Sequence, residues 1–133
     1  IYQPASLLEP TKRKLLECIM EDYKIIDVNE RDPSGTSLKG YITEDYSTLV
    51  QAFGEPHYQS NDGDKVFTSW ELEFTIQEPG EEDTTTFRST IYDWKEDSAR
   101  VAKETPKYKW HVGGDHYLSV DAVQKWIVQT YQA

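Results

Sequence analysis

The sequence predicts an α+β fold: an antiparallel sheet of about three to five strands, flanked by an N-terminal helix, a C-terminal helix and one short internal helix. Apolar residues recur at helical spacing near both ends of the chain and once near residue 50. Alternating apolar and polar residues fill 65–76, and strand-forming residues return in 84–95 beyond a Pro-Gly turn. Helices kept apart from a run of hairpin strands are typical of this class.

The length of 133 residues fits one domain, residues 1–133. A chain of this size buries roughly two-thirds of its unfolded surface, so it needs no covalent cross-link to fold. Cys18 is its one cysteine, which excludes an intramolecular disulfide and fits a cytoplasmic location. No apolar run approaches the roughly 20 residues of a membrane span, so no membrane association is expected.

The first helix is predicted from about Leu7 to Asp22. Ser6 and Glu9 have the spacing of a capping box, in which each side chain bonds the other's backbone N–H. The apolar stripe of this helix consists of Leu8, Leu15, Leu16, Ile19 and Met20. A short strand is expected next at Lys24–Asn29, because this stretch contains β-branched residues. A loop is expected at Asp32–Ser37, because this stretch contains Pro, Gly and Asp.

The second helix has the clearest local pattern. Thr43 is its predicted N-cap, and Glu44 and Asp45 in the first turn would complement the helix dipole. Apolar residues follow at i, i+3, i+4 and i+7, namely Tyr46, Leu49, Val50 and Phe53. Gly54 is predicted to end the helix, and Pro56 prevents its continuation.

The centre of the chain predicts a long β-hairpin. Lys65–Ile76 has one apolar and one mostly polar face, as a half-buried antiparallel strand does. Gln77–Asp83 is predicted to be an exposed acidic loop, and Thr84–Lys95 returns as the partner strand. Residues 96–105 are polar and are expected to be irregular.

A final strand and helix are expected to close the chain. Tyr108–Val112 is predicted to pair as a strand, and Gly113–Gly114 to make a tight bend into the helix. Ser119 or Asp115 would cap that helix. Its buried stripe is predicted to contain Val120, Val123, Trp126, Ile127 and Tyr131.

The formal charge of −10 comes from 24 acidic and 14 basic residues. Such a surface disfavours nucleic acid and anionic membranes as partners and favours a protein with a basic surface. Six carboxylates on the hairpin are predicted to meet that partner: Glu71, Glu73, Glu78, Glu81, Glu82 and Asp83. The competing interpretation is a plain solvated surface, since an acidic domain shows charge on every loop. The sequence leaves open whether the chain forms a homo-oligomer.

Residues 108–116 hold the densest set of side chains typical of binding sites. Aromatic faces stack on rings, and adjacent glycines allow a close backbone approach. A ligand pocket is therefore predicted from Trp94, Trp110, His111, Gly113, Gly114 and Asp115. The competing interpretation, which the sequence favours, is structural closure, with Trp110 in the core and the glycines turning the chain.

Catalytic patterns are weak throughout the sequence. There is no nucleophile elbow and no cysteine in a catalytic signature, and carboxylates are too many for any pair to stand out. A metal-dependent enzyme would use His111, Asp115 and His116, with His57 as a further candidate ligand. The spacing matches no known zinc motif, so no metal or other cofactor is predicted.

Five short motifs occur in order along the chain: Gly40–Thr43, Phe53–His57, Trp70–Phe74, Thr90–Lys95 and Trp110–Gly114. Together they resemble motifs of small proteins from phages and large DNA viruses. The resemblance covers about residues 40–133, and the long acidic hairpin loop and the Thr-rich strand start depart from it. It implies a viral context and carries over no catalytic residue.

The function predicted first is that of a viral, phage-type host-interaction protein that acts by binding in the host cytoplasm. Its concrete form would be an acidic inhibitor of a host nucleic-acid-handling or defence protein. The alternative is a small-ligand or nucleotide-binding protein that sequesters its ligand, and a metal-dependent enzyme ranks third. Charge and size support the first prediction, whereas the aromatic, glycine-containing stretch supports the second.

Overall fold

The computed structural model describes residues 23–132. The helix predicted over Leu7–Asp22, its Ser6 cap and Cys18 lie outside the described residues. Within that range the chain forms a six-stranded antiparallel sheet and three helices, which confirms the α+β class. The sheet exceeds the predicted three to five strands, because one edge strand and a two-residue strand carry too few buried residues to show an alternating pattern.

The strands in chain order are β1 (Lys24–Glu30), β2 (Ser37–Glu44), β3 (Tyr58–Gln59), β4 (Thr68–Gln77), β5 (Thr85–Tyr92) and β6 (Tyr108–Gly114). The helices are α1 (Tyr46–Phe53), α2 (Arg100–Glu104) and α3 (Ser119–Gln132). Spatially the strands run β1-β4-β5-β6-β2, with β3 paired to the first two residues of β4 on the same side as β1. The predicted long hairpin of β4 and β5 is present and lies within the sheet, between the two edge strands.

One face of the sheet, the covered face, holds the core. Along β4 the residues Trp70, Leu72, Phe74 and Ile76 are all buried there, which confirms the predicted apolar side of this strand. Helices α1 and α3 pack over this face and against each other. The alternating positions of the same strands point to the opposite side, which no helix among residues 23–132 covers. We call that side the open face.

The start of α1 differs from the prediction. Thr43 and Glu44 belong to the edge strand β2, and the N-cap is Asp45. The Asp45 carboxylate accepts the backbone N–H of Lys107 at 2.7 Å instead of bonding its own helix. The strand was missed because only Ile42 of its eight residues is fully buried, so its alternation is weak. The predicted end is confirmed, since Gly54 has φ 81° in the left-handed region.

Two further helical features correct the sequence analysis. The one-turn helix α2 lies in the stretch expected to be irregular, where Ala102 is buried and Arg100 pairs with Glu104 at 2.7 Å. In α3, Val123 and Ile127 are buried as predicted, but Tyr131 is 74% exposed. Among the residues that the structure describes, no helix has the length and hydropathy that crossing a membrane requires.

Gly113 and Gly114 do not turn the chain. They are the last residues of β6 and pair with both β2 and β5, and neither has a positive φ. Glycine is needed here for close packing: a Cβ on Gly114 would overlap the Ser119 side chain and lie 2.7 Å from the Arg88 carbonyl oxygen. The predicted tight bend is therefore wrong, and the turn into α3 comes after the glycines.

Residues 31–36 form a crossover loop between strands at opposite edges of the sheet. The loop leaves β1, runs over the open face and enters β2. Arg31 pairs with Glu73 on β4, and the Arg88 guanidinium of β5 donates to the carbonyl oxygen of Ser34. The loop thus spans the width of the sheet and forms a wall on a face that no helix among residues 23–132 covers.

Candidate ligand-binding groove on the open face

A groove of about 380 Å³ lies on the open face beside the crossover loop. Its floor comes from β4, β5 and β6, and its walls come from the crossover loop, the start of β2 and residues 58–66. The lining residues are Pro33, Thr36, Ser37, Leu38, Tyr58, Val66, Ser69, Glu71, Thr90, Tyr92, Trp94 and Gly113. Volumes of a few hundred Å³ are typical of small-molecule sites.

Strand register determines which side chains reach the groove. Thr90 lies opposite Glu71 on one side and Gly113 on the other, so the three form one row across the floor. Tyr92 lies opposite Ser69 and His111 in the next row. A Cβ on Gly113 would come within 2.6 Å of the Thr90 hydroxyl oxygen. The glycine therefore keeps the floor low and the strands close.

An aromatic cluster extends from the floor to the rim. His111 is its centre, with ring centroids 4.9 Å from Tyr41, 5.4 Å from Tyr92 and 6.0 Å from Trp94. Burial, and to a smaller extent the Lys109 ammonium, lower the pKa of His111. Its Nδ1 is buried and has no hydrogen-bond partner within residues 23–132. The ring is therefore held neutral among other rings and forms part of an uncharged platform.

The tryptophans fall into two groups. The indole N–H groups of Trp70, Trp110 and Trp126 each donate to a backbone carbonyl oxygen, at 2.9, 3.0 and 2.8 Å respectively. Trp94 is 37% exposed, and its indole N–H makes no hydrogen bond to any residue that the structure describes. Buried tryptophans usually find such a partner. Trp94 is thus the one indole whose donor remains open to a ligand.

A buried carboxylate fixes the wall that faces Trp94. Asp93 is fully buried, and its Oδ1 accepts the backbone N–H groups of Phe67 and Thr68 at 2.9 and 3.0 Å. The Lys95 N–H donates to the Lys65 carbonyl oxygen at 2.7 Å. Burial raises the pKa of Asp93, which outweighs the lowering effect of those hydrogen bonds. Together these bonds hold residues 65–68 against the end of β5.

Three ammonium groups lie around the aromatic cluster. The Nζ atoms of Lys65 and Lys95 are 6.0 and 5.7 Å from the Trp94 ring centroid, and that of Lys109 is 4.4 Å from the Tyr41 ring centroid. None of the three forms an ion pair with any residue in 23–132. This rim is locally basic in a chain whose formal charge is −10.

The predicted ligand residues divide between the two faces. Trp94 and Gly113 line the groove, and His111 packs against its aromatic side. Trp110 is fully buried on the covered face and Gly114 packs against Ser119, so neither reaches the groove. The remaining candidate, Asp115, accepts the Arg88 N–H at 2.7 Å and extends the pairing of β5 with β6.

The side chains predicted as metal ligands are not brought together within residues 23–132. His116 stacks on Phe87 with centroids 4.5 Å apart, and its Nδ1 accepts the Leu118 N–H. His57 Nδ1 accepts the Glu71 N–H at 2.8 Å. Within residues 23–132 no three His, Cys, Asp or Glu side chains are grouped as metal ligands. These histidines therefore have structural partners of their own.

Sequence reasoning missed residues that enclose the groove, such as Tyr58 and Leu38. Both are large hydrophobic residues that are at least 41% exposed, which no local pattern reveals. Tyr92 and Thr90 were predicted as part of a strand, but not as part of a site. Their position between buried residues of β5 was the available signal, since alternation assigns them to the other face.

The six acidic residues predicted as one partner surface are also divided. Glu71 lines the groove and Glu73 pairs with Arg31. The others, Glu78, Glu81, Glu82 and Asp83, lie in the loop between β4 and β5 and form no ion pair within the described part of the chain. The acidic surface that remains is this loop.

No protein-family model, curated protein or solved structure matches the chain. The resemblance to phage and large-DNA-virus proteins therefore stays a prediction. The features that bear on function are geometric: a groove with an aromatic side, a locally basic rim and one lining carboxylate. They describe a place for a ligand.

Proposed function

We propose that the protein binds a small ligand with a planar ring in the groove on the open face. The observation that carries this proposal is Trp94, which lines the groove, is exposed and has an unbonded indole N–H, whereas Trp70, Trp110 and Trp126 all use theirs within the fold. A ligand ring could stack in the aromatic cluster while the N–H donates to it. Binding or sequestration is the corresponding activity, since the groove offers aromatic rings, polar side chains and one carboxylate to hold a ligand.

The test is a nuclear magnetic resonance screen that follows the four tryptophan indole N–H signals. Planar heteroaromatic fragments should shift the Trp94 signal first and leave that of fully buried Trp110 in place. Trp94→Ala should weaken binding about 5-fold to 150-fold, because stacking on one aromatic ring is worth about 1–3 kcal/mol.

Trp126→Phe is the matched control, since Trp126 lies on the covered face and donates to the Ala52 carbonyl oxygen. It should leave ligand affinity unchanged. Fragments that shift all indoles equally, or that bind Trp94→Ala as well as the native chain, would contradict a site at this groove.

A second function is favoured by the acidic loop between β4 and β5. Its four carboxylates, at Glu78, Glu81, Glu82 and Asp83, project at one end of the central hairpin without a basic partner among residues 23–132. We propose that this loop contacts a basic protein surface, as a host-interaction protein of a virus would. This is compatible with ligand binding, because the loop does not line the groove.

Binding to a lysine-rich peptide tests the acidic loop. Glu81→Lys/Glu82→Lys should weaken binding more than Glu30→Lys/Asp97→Lys, which changes the net charge equally at other exposed positions. Affinity should also fall as salt concentration rises. An equal loss in the two double variants would assign the effect to overall charge and remove the loop as a specific surface.

A further inference from the structure

The polar groups along the groove are separated by type. At the Trp94 end is the Trp94 indole N–H, and next to it, just outside the lining residues, are the Lys65 and Lys95 ammonium groups, 6.0 and 5.7 Å from the Trp94 ring centroid. None of these donors has a hydrogen-bond or ion-pair partner among the described residues. At the other end of the floor is an acceptor, the Glu71 carboxylate, in the row of Thr90 and Gly113. A ligand that satisfies both ends carries a negative group at one end and N–H donors at the other.

The Glu71 carboxylate is available to such donors. Its one hydrogen bond within residues 23–132 comes from the Ser69 hydroxyl at 3.4 Å, which is long. The Glu71 backbone N–H is already held by His57 Nδ1 at 2.8 Å. The strand is thus fixed while the side chain keeps acceptor capacity, and a carboxylate can accept two parallel N–H bonds.

The length of the groove limits the ligand. The floor runs from Thr90 through Tyr92 to Trp94, and four residues of extended chain span about 13 Å. That length accommodates a base, a sugar and one phosphate. A polyanion would extend beyond the local lysines into the field of a chain with formal charge −10. A single nucleotide therefore fits better than a nucleic-acid strand.

We propose that the ligand is a guanine mononucleotide, an inference that rests on the proposed ligand-binding function. The base stacks on Tyr92 of the aromatic cluster, beside Trp94, with its edge toward Glu71, and the phosphate lies among Lys65, Lys95 and the Trp94 N–H. Guanine presents two adjacent N–H donors on one edge, which a carboxylate accepts in a bidentate arrangement, whereas adenine presents one donor beside an acceptor. Glu71 thus sets the choice of base, and the lysines require the phosphate.

Calorimetric titration of the native chain with guanosine monophosphate, guanosine, adenosine monophosphate and inorganic phosphate tests both halves of this assignment. Guanosine monophosphate should bind about tenfold or more tightly than guanosine and than adenosine monophosphate. Glu71→Gln should remove the preference for guanine and keep the preference for the phosphorylated ligand. Lys65→Gln/Lys95→Gln should remove the preference for the phosphorylated ligand and keep the preference for guanine. Thermal unfolding of each variant without ligand shows whether it is folded.

The controls are Lys24→Gln and Glu104→Gln. Lys24 pairs with Gln77 at the end of β4 remote from Trp94, and Glu104 pairs with Arg100 on α2, so neither change should alter nucleotide affinity. A loss in these variants equal to that in the groove variants would overturn the assignment.

Other outcomes separate this inference from the proposed function. Equal affinity for guanosine and guanosine monophosphate, or for the guanine and adenine nucleotides, overturns the nucleotide assignment and leaves ring binding intact. Tighter binding of a short single-stranded oligonucleotide than of any mononucleotide overturns it in favour of nucleic acid. If no ring compound of any kind perturbs the Trp94 indole signal, both the proposed function and this inference fail.

Discussion

The two faces of the sheet are built from the same strands and rich in the same residue types, yet the polar groups of their aromatic side chains are bonded differently. On the covered face Trp70 and Trp110 meet edge to face, 5.4 Å apart, are fully buried and have bonded indole N–H groups. On the open face Trp94 and His111 lie in one cluster, and the Trp94 indole N–H and the His111 Nδ1 have no hydrogen-bond partner among residues 23–132. Cover by helices thus decides whether an aromatic side chain stabilises the fold or stays available to a ligand.

The largest effect should come from removing a covered-face ring. Trp110→Ala should lower the free energy of unfolding by about 3–5 kcal/mol, because it leaves a cavity in the core and frees the Glu44 carbonyl oxygen. Chemical denaturation monitored by circular dichroism measures it. A loss under about 1 kcal/mol would contradict the assignment of Trp110 to the core.

The paired glycines offer the next contrast. Gly114→Ala should cost about 1–3 kcal/mol, because the new methyl overlaps Ser119 and the Arg88 backbone on the covered side. Gly113→Ala should cost less, since its closest contact is the Thr90 hydroxyl, a side-chain atom on the open face. Adding Thr90→Ala to Gly113→Ala should recover part of the loss. The reverse order of the two single variants would contradict this account.

Asp93 should give the molecule a pH-dependent stability of unusual sign. Burial raises its folded-state pKa above the ordinary 3.8, so the folded state binds a proton more tightly than the unfolded state does. The contribution is full below pH 3.8 and is lost as pH rises through the raised pKa.

Asp93→Asn lacks this titration. The free energy of unfolding of the Asn variant minus that of the native chain should therefore increase with pH. Denaturant melts from about pH 3 to about pH 8 measure it. A difference that stays constant or decreases would show that the hydrogen bonds from Phe67 and Thr68 outweigh burial.

The smallest change in stability should come from the open face. Trp94→Ala should lower the free energy of unfolding by about 1 kcal/mol, well below the loss in Trp110→Ala, because Trp94 packs on Tyr92 and His111 but is 37% exposed. The Trp94 indole N–H should also exchange with solvent faster than those of Trp70 and Trp110. An exchange rate as slow as theirs would mean that the open face is covered in solution.

The features that the sequence predicted well are those with a local period. The β4–β5 hairpin and α1 repeat every two and every three to four residues, so their faces can be read without knowing the fold. The edge strand β2 was not predicted because most of its residues are exposed. The path of the crossover loop was not predicted because it depends on where β1 and β2 lie in the finished sheet.

The sequence predicted which residue types form the site but not which face of the sheet each residue occupies. Trp94, Trp110, Gly113 and Gly114 look equivalent in sequence. Strand register places Gly113 on the open face and Trp110 and Gly114 on the covered face, whereas Trp94 follows the end of β5 and packs beside Tyr92. A shift of one residue would exchange the faces of the β6 residues. The enclosing wall comes from residues 33–38, more than fifty positions before Trp94 in the chain. A local sequence pattern cannot show that such distant residues lie beside the same groove.

The crossover loop also constrains how this chain can assemble and vary. In a flat sheet its ends would be about 19 Å apart, four strand spacings, and the seven Cα–Cα steps from Glu30 to Ser37 span at most about 25 Å. A turn closed by the Thr36 N–H and the Pro33 carbonyl oxygen takes up part of that length. The partners of β1 and β2 lie in β4 and β6, far along the chain, so neither edge can pair until its own later strand is in place. Shortening this segment by one residue should therefore remove the turn and strain the pairing of the edge strands, whereas lengthening it should be tolerated and change the width of the groove.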